Sequence, residues 1–311
     1  MALLSAAAVW PVRAVNAQTP TVPVTDPLVS AADDAEVIDA AQDGSERMTV
    51  PVMVNGQGPY SFIVDTASDR TTVSQTLAAT LNLPAKGSLS VDSATGLDVV
   101  PSVEIDRLQV GSREIRRIRA PVFSQHNIGA AGLLGIDALA DQNIVMDFRT
   151  KQMTIQPSSG HDEPGDIVVS GRSRYGQLVL VDASVGGRDL FVVIDTGGQT
   201  SIGNSVLRKL VQNHSLSAAV AEQVNVLSVS GDTAKADIDV LAHVRLGGIQ
   251  VTNLPIAYAD IHTFDKLDLR NHPSMLLGMD ILRKFDRVSV DFKARRVRFL
   301  LPKDRLARIP D

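Results

Sequence analysis

The sequence predicts a mainly-β chain of two homologous lobes, each a closed or sandwiched sheet with one short helix or two. Three observations predict it. The stretch YSFIVDTASDRTTVS from Tyr60 returns as LFVVIDTGGQTSIG from Leu190, and its Asp moves by 130 positions, from Asp65 to Asp195. A second stretch, GLLGIDALADQNIVMDFRTKQMTI, returns as LLGMDILRKFDRVSVDFKARRVRFL: Gly135 and Gly278 differ by 143, Asp137 and Asp280 by 143, Asp147 and Asp291 by 144. Between these landmarks both halves alternate short apolar runs with glycine turns, which is strand patterning.

The elements follow in order. Residues 1–17 hold a short apolar run, Ala2 to Trp10, and then Val15-Asn16-Ala17, a small-residue pattern suited to signal cleavage. That predicts export to the periplasm or beyond. Residues 18–45, rich in Pro, Thr, Ala and Asp, read as a disordered lead-in. The first lobe is expected over 46–157. It opens with a hairpin turning at Asn55-Gly56, whose second strand delivers Asp65, followed by a helical segment SQTLAATLNL and further strands. A Pro/Gly/Ser-rich linker is expected over 158–172. The second lobe, 173–302, repeats the order with a turn at Gly186-Gly187, Asp195 and the helical segment NSVLRKLVQN; 303–311 form a tail. No run after the first residues reaches the length of a membrane-spanning helix.

Composition excludes several classes. The chain has 311 residues, 44% apolar and 21% charged, with a net charge of −5, which lacks the basic footprint of a nucleic-acid binder. With no cysteine there are no disulfides, thiolate zinc sites or cysteine nucleophiles. Its six histidines show no metal-ligand spacing, and no phosphate-loop, dinucleotide or Gly-x-Ser-x-Gly motif is present.

The chemistry rests on Asp65 and Asp195. A carboxylate directly behind an aliphatic strand is costly unless something compensates it. An isolated case reads as an Asx turn. Two cases in matching contexts read as one shared arrangement. Asp137 and Asp280, each beside an apolar helical stretch, read as structural, through capping or links between strands.

An apolar strand ending in Asp-Thr-Gly, followed later by aliphatic-aliphatic-Gly-x-Asp, resembles the retropepsin-like and pepsin-like aspartic proteases, over roughly 46–302. The resemblance implies acid-protease β-barrel lobes and a catalytic pair, Asp65 and Asp195, that shares a proton and activates a water without metal or cofactor. It implies a polypeptide substrate and a monomer whose two lobes form one site. Thr66 and Thr196 match threonines that bond across the lobe boundary, and Gly197 matches a glycine whose N–H faces the carboxylate. Leu134-Gly135 and Leu277-Gly278 match the segment packed behind each Asp loop.

Ala67 departs from the family glycine, at a cost if that position needs a positive φ. Ser68 stands where Gly198 stands in the second loop. Its hydroxyl is expected to bond the Asp65 carboxylate and make Asp65 the more ionised partner. Ser93, Thr95 and Gly96, and Ser230 and Gly231, occupy the places of covering flaps, without the flap tyrosine of pepsin-like enzymes. Two other readings remain open at this stage: a silent relative that binds a peptide in the cleft, and lobes that each pair with another copy.

Overall fold

The computed structural model describes residues 28–30, 36–39, 41–42, 47–158, 160–214, 216 and 222–302. The expected signal segment, 1–17, and the tail, 303–311, lie outside the described residues.

Each lobe is a small barrel. In the first, Met48–Val54 pairs with Gln57–Val64 through a turn in which Asn55 (φ 51°) and Gly56 (φ 79°) are both left-handed, the geometry that Asn-Gly supplies cheaply. Gln57–Val64 pairs in parallel with Gly132–Leu134, which pairs with Thr72–Ser74, which pairs with Arg113–Phe123. Leu97–Val110 pairs with both Arg113–Phe123 and Met48–Val54 and closes the ring. The second lobe repeats this circuit with Phe191–Ile194, Ser274–Leu277, Ile202–Gly203, Ile249–Tyr258 and Thr233–Leu246. There the opening strand is split into Gln177–Leu180 and Ala183–Val185.

Helices are more numerous than expected: among the described residues each lobe has three, Gln75–Thr80, Gln125–Ile128 and Ile136–Leu139, then Ser205–Asn213, His262–Lys266 and Met279–Leu282. The additional ones have four or five residues, too few to carry a periodic apolar signal. The two expected from sequence are capped by Ser74 and Asn204, whose side chains accept from the N–H of Leu77 and Leu207.

An antiparallel sheet joins the lobes in the order Ile167–Arg174, Arg296–Leu300, Arg287–Asp291, Gln142–Asp147, Gln152–Pro157, Glu36–Asp39. Strand Ile167–Arg174 begins inside the stretch expected as linker. The lead-in, expected to be disordered, contributes three short strands: Leu28–Ser30 on Arg113–Phe123, Glu36–Asp39 on Gln152–Pro157, and Ala41–Gln42 on Met48–Val54. Each covers backbone that would otherwise be an open edge, so the partner strand rather than any periodicity of their own orders them.

Alternation along the Asp-bearing strands explains their unbroken apolar runs. Phe62 and Val64 face a core that continues through both barrels and the shared sheet, while Ile63 faces a smaller cluster with Phe123, Ile128, Ala130 and Leu133. Val192 and Ile194 repeat the first role, and Val193 repeats the second in a cluster with Phe264, Leu267 and Leu276. Both faces are buried, so neither position tolerates a polar residue. The carboxylate can appear only where the strand ends.

Candidate active site

Each Asp loop is held from behind by the aliphatic-Gly segment. The Asp65 N–H donates to the Leu134 carbonyl and the Asp195 N–H to the Leu277 carbonyl, each at 3.0 Å. Ile136 N–H donates to Ser68 C=O at 2.8 Å, and Met279 N–H to Gly198 C=O at 2.9 Å. Gly135 and Gly278 are bare because backbone occupies the space of a side chain: a Cβ would come within 2.4 Å of Arg70 and 2.8 Å of Thr200. Asp137 and Asp280 tie the far ends of the loops. Asp137 Oδ1 accepts from Thr71 N–H and Oγ1, and Asp280 accepts from Ser201 N–H and Oγ. Gly135 and Gly278 occupy the helix N-cap positions, so the role of the two aspartates is cross-linking rather than capping.

The two loops meet through their threonines. Thr66 N–H donates to Thr196 Oγ1 at 3.0 Å, and the Thr66 hydroxyl donates to Ile194 C=O at 2.7 Å. Thr196 returns both bonds, its N–H to Thr66 Oγ1 at 3.3 Å and its hydroxyl to Val64 C=O at 2.7 Å. Both threonines are buried. Each such bond contributes about 1 kcal/mol net, and more is lost if one partner is removed and the other stays buried.

The carboxyls lie beside this knot. Asp65 Oδ1 accepts from the N–H of Ala67 at 2.9 Å and of Ser68 at 3.1 Å; Asp195 Oδ1 accepts from Gly198 N–H at 2.8 Å. Burial raises the Asp65 carboxyl above its usual range, opposed by those two N–H bonds and by Arg47. Burial and then the negative charge of Asp65 push Asp195 up to about 7. Two carboxyls that feel each other in this way ionise one after the other.

Two readings of the loop residues change. The Ser68 hydroxyl donates to Arg70 C=O at 3.0 Å, not to the Asp65 carboxylate. The loop turns so that backbone N–H groups fill the carboxylate's near side, and the hydroxyl is spent on closing the turn. Ala67 is not among the residues at positive φ, and neither is Gly197, so alanine carries no backbone strain here. What Gly197 and Gly198 require is space. A Cβ on Gly197 would lie 2.3 Å from Asp65 Cγ, and one on Gly198 would lie 2.6 Å from Asp195 Oδ2.

The two hairpins in the candidate flap positions cross the boundary. The first, Ala85–Asp92 with Leu97–Val110, brings its tip to the second lobe, where His262 N–H donates to Ala94 C=O at 2.8 Å. Ser93 holds that tip together, its N–H and hydroxyl both donating to Gly96 C=O while its Oγ accepts from Thr95 N–H. The second flap, Glu222–Leu227 with Thr233–Leu246, carries Ser230 and Gly231 to the first lobe, where Asn127 Nδ2 donates to Val229 C=O at 3.3 Å. A Cβ on Gly231 would meet Asn127 Nδ2 at 2.8 Å. Ser230 donates to Ser228 Oγ at 3.1 Å within the tip.

Residues 50–141 match the family described as "gag-polyprotein putative aspartyl protease", and residues 181–281 match the family described as "Aspartyl protease". The chain belongs to the retropepsin-like aspartic proteases. The two matches fall one on each lobe and enclose Asp65 and Asp195 respectively. No curated protein matches the chain.

Within this retropepsin-like frame the sequence reading missed a second pair of cross-lobe ties. Arg47 and Gln177 are 130 residues apart, the spacing of the two aspartates. Arg47 donates to Gly197 C=O at 3.4 Å and to Ile128 C=O at 2.7 Å; Gln177 Nε2 donates to Ala67 C=O at 2.6 Å. Extending the 130-residue alignment upstream from the Asp loops would have found the pair. Its chemical asymmetry, guanidinium against amide, then places one positive charge near both carboxyls. Among the described residues no helix is long and apolar enough to cross a membrane, and no group of three or more His, Asp or Glu side chains stands ready to hold a metal ion.

Proposed function

We propose that the chain is an aspartic endopeptidase in which Asp65 and Asp195 act on one water and one peptide bond of an extended polypeptide. The observation that supports it best is the reciprocal threonine bonding, which brings two buried carboxyls from separate lobes into one electrostatic unit. Two backbone N–H groups lower each carboxyl, Ala67 and Ser68 at Asp65 and Gly198 and Gly197 at Asp195, so the partner's charge decides between them, and Asp65 is the base. Asp195, raised further by its neighbour's charge, keeps the proton.

In the first step Asp65 takes a proton from the water while the water oxygen bonds to the peptide carbonyl carbon and Asp195 gives its proton to the carbonyl oxygen. The tetrahedral diol then collapses. Asp65 returns its proton to the amide nitrogen as the C–N bond breaks, and Asp195 recovers one from the diol. The pair ends as it began, and no cofactor enters. The first residues support export, with action in the periplasm or outside the cell.

The test is cleavage of an unfolded protein at mildly acidic pH by wild type, D65N and D195N, with and without a transition-state-mimic inhibitor of aspartic proteases. Wild type should cut, the inhibitor should stop it, and each variant should lose at least about a thousandfold, as expected for groups that move protons in the reaction. If wild type cuts no better than the variants, the cleft is a peptide-binding groove and the protease reading fails.

A further inference from the structure

The two flaps are held differently. Lys266, on the second lobe's helix His262–Lys266, pairs with Asp69 of the Asp65 loop and at 3.3 Å with Asp92 at the first flap's tip. His262 Nε2 lies 2.9 Å from Asp92 Oδ1, and the His262 N–H holds Ala94 C=O. Partial burial works to raise the Asp92 carboxyl, but the His262 ring and the Lys266 ammonium outweigh it and hold it below the usual range. Ala94 also packs on the second lobe's apolar cluster around Phe264 and Leu267. Across the cleft the second flap meets the first lobe through Val229, packed on the Ile63 and Phe123 cluster, and through Asn127, which bonds the Val229 carbonyl and lies against Gly231. Among the described residues no ion pair joins that flap to the first lobe.

We propose that Lys266 is a positioning residue that clasps the first flap to the Asp65 loop, making this flap the fixed wall of the cleft and the second flap the lid that opens for substrate. The proposal rests on the protease reading of the same cleft. A single ammonium from the opposite lobe spans flap and catalytic loop, so it sets the height of the one above the other. Asp69 has a second anchor in Gln177 Nε2 at 3.3 Å, so the loop end of the clasp is braced independently. Asp92 depends on the helix.

The test measures backbone hydrogen exchange in wild type, K266M, K266R and D92N, together with KM and kcat on a peptide substrate. In wild type, residues 228–232 should exchange faster than 92–96. K266M and D92N should each speed exchange at 92–96 and at the His262 amide by about twofold to fivefold, the range that a partly exposed ion pair supports. They should leave 228–232 unchanged and raise KM more than they lower kcat. K266R should restore both, and K266M with D92N should add little to either alone. Unchanged exchange at 92–96 in both K266M and D92N, or a second flap slower than the first in wild type, overturns the proposal. Exchange is read whether or not peptide is cut, so absence of cleavage in wild type refutes the protease reading separately.

Discussion

Val145 pairs with Ser289, the residue 144 positions later that fills the same place in the second lobe. A residue can face its own counterpart only on a symmetry axis, so the pseudo-twofold of the molecule passes through the shared sheet at this point. The same operation exchanges Thr66 with Thr196 and Arg47 with Gln177. The threonines obey it; Arg47 and Gln177 break it in charge. The charge around the two carboxyls is therefore asymmetric, because only Arg47 of this pair is cationic.

Arg47→Gln copies the second lobe's residue into the first and keeps a donor for the Gly197 carbonyl. Arg47 lowers both carboxyls, so its removal should raise both. The acidic limb of the pH–rate profile, set by ionisation of Asp65, and the basic limb, set by the proton on Asp195, should therefore both move to higher pH, by up to about one unit for a charge at this range. A profile that stays in place shows that the guanidinium serves only as a tie.

Thr66→Val removes one hydroxyl while the Ile194 carbonyl and the Thr196 N–H stay buried without it. The expected cost is about 2–4 kcal/mol for the two orphaned groups, read as a lower midpoint in urea unfolding. Thr66→Ser keeps the hydroxyl and should retain most of the stability and activity. Equal losses in the two variants would mean that the methyl group, not the bonding, holds the lobes together.

Much of this was readable from sequence for a physical reason. Duplication writes every local constraint twice, so strand, turn and Asp could each be checked against a copy: Asn55-Gly56 against Gly186-Gly187, Gly135 against Gly278. What was not readable depended on tertiary partners. The strands at 28–30 and 36–39 are ordered by edges elsewhere in the chain, and Lys266 has no matching cation in the first lobe's helix Gln125–Ile128 to draw attention to it. The family resemblance gives the Ser68 hydroxyl to the Asp65 carboxylate, but the turn offers it a carbonyl two residues on.

Ser68→Ala should leave the bonding of the Asp65 carboxyl intact. The hydroxyl bonds Arg70 C=O, and the N–H that Asp65 uses survives the substitution. The acidic limb should stay where it is, with stability falling by about 1 kcal/mol for one partly exposed bond. An upward shift of that limb would return the hydroxyl to the carboxylate.

Gly197→Ala and Gly198→Ala test crowding at the two carboxyls. Each methyl would fall inside contact distance of a carboxyl group, Asp65 for the first and Asp195 for the second. Displacement of about 1 Å at a catalytic group costs on the order of a hundredfold in rate. The loss should appear in kcat, together with a stability loss of about 1–3 kcal/mol from the crowding. Ala67→Gly should lower stability by about 0.4–1 kcal/mol, because the backbone there is not left-handed and glycine only adds freedom to the unfolded chain.

Asp195→Asn should trade activity for stability in a pH-dependent way. In the unfolded chain Asp195 titrates near 3.8, and in the folded chain at about 7. The folded state therefore binds the proton more tightly, and this group's contribution is fully present below 3.8 and is lost as pH rises through 7. Asparagine carries no such charge. The variant's Tm should match wild type near pH 4 and exceed it by several degrees at pH 8, given about 2–4 °C per kcal/mol in a protein of this size. If the gap closes instead of widening as pH rises, the proton on Asp195 is not the buried one, and the roles given to the two aspartates must be exchanged.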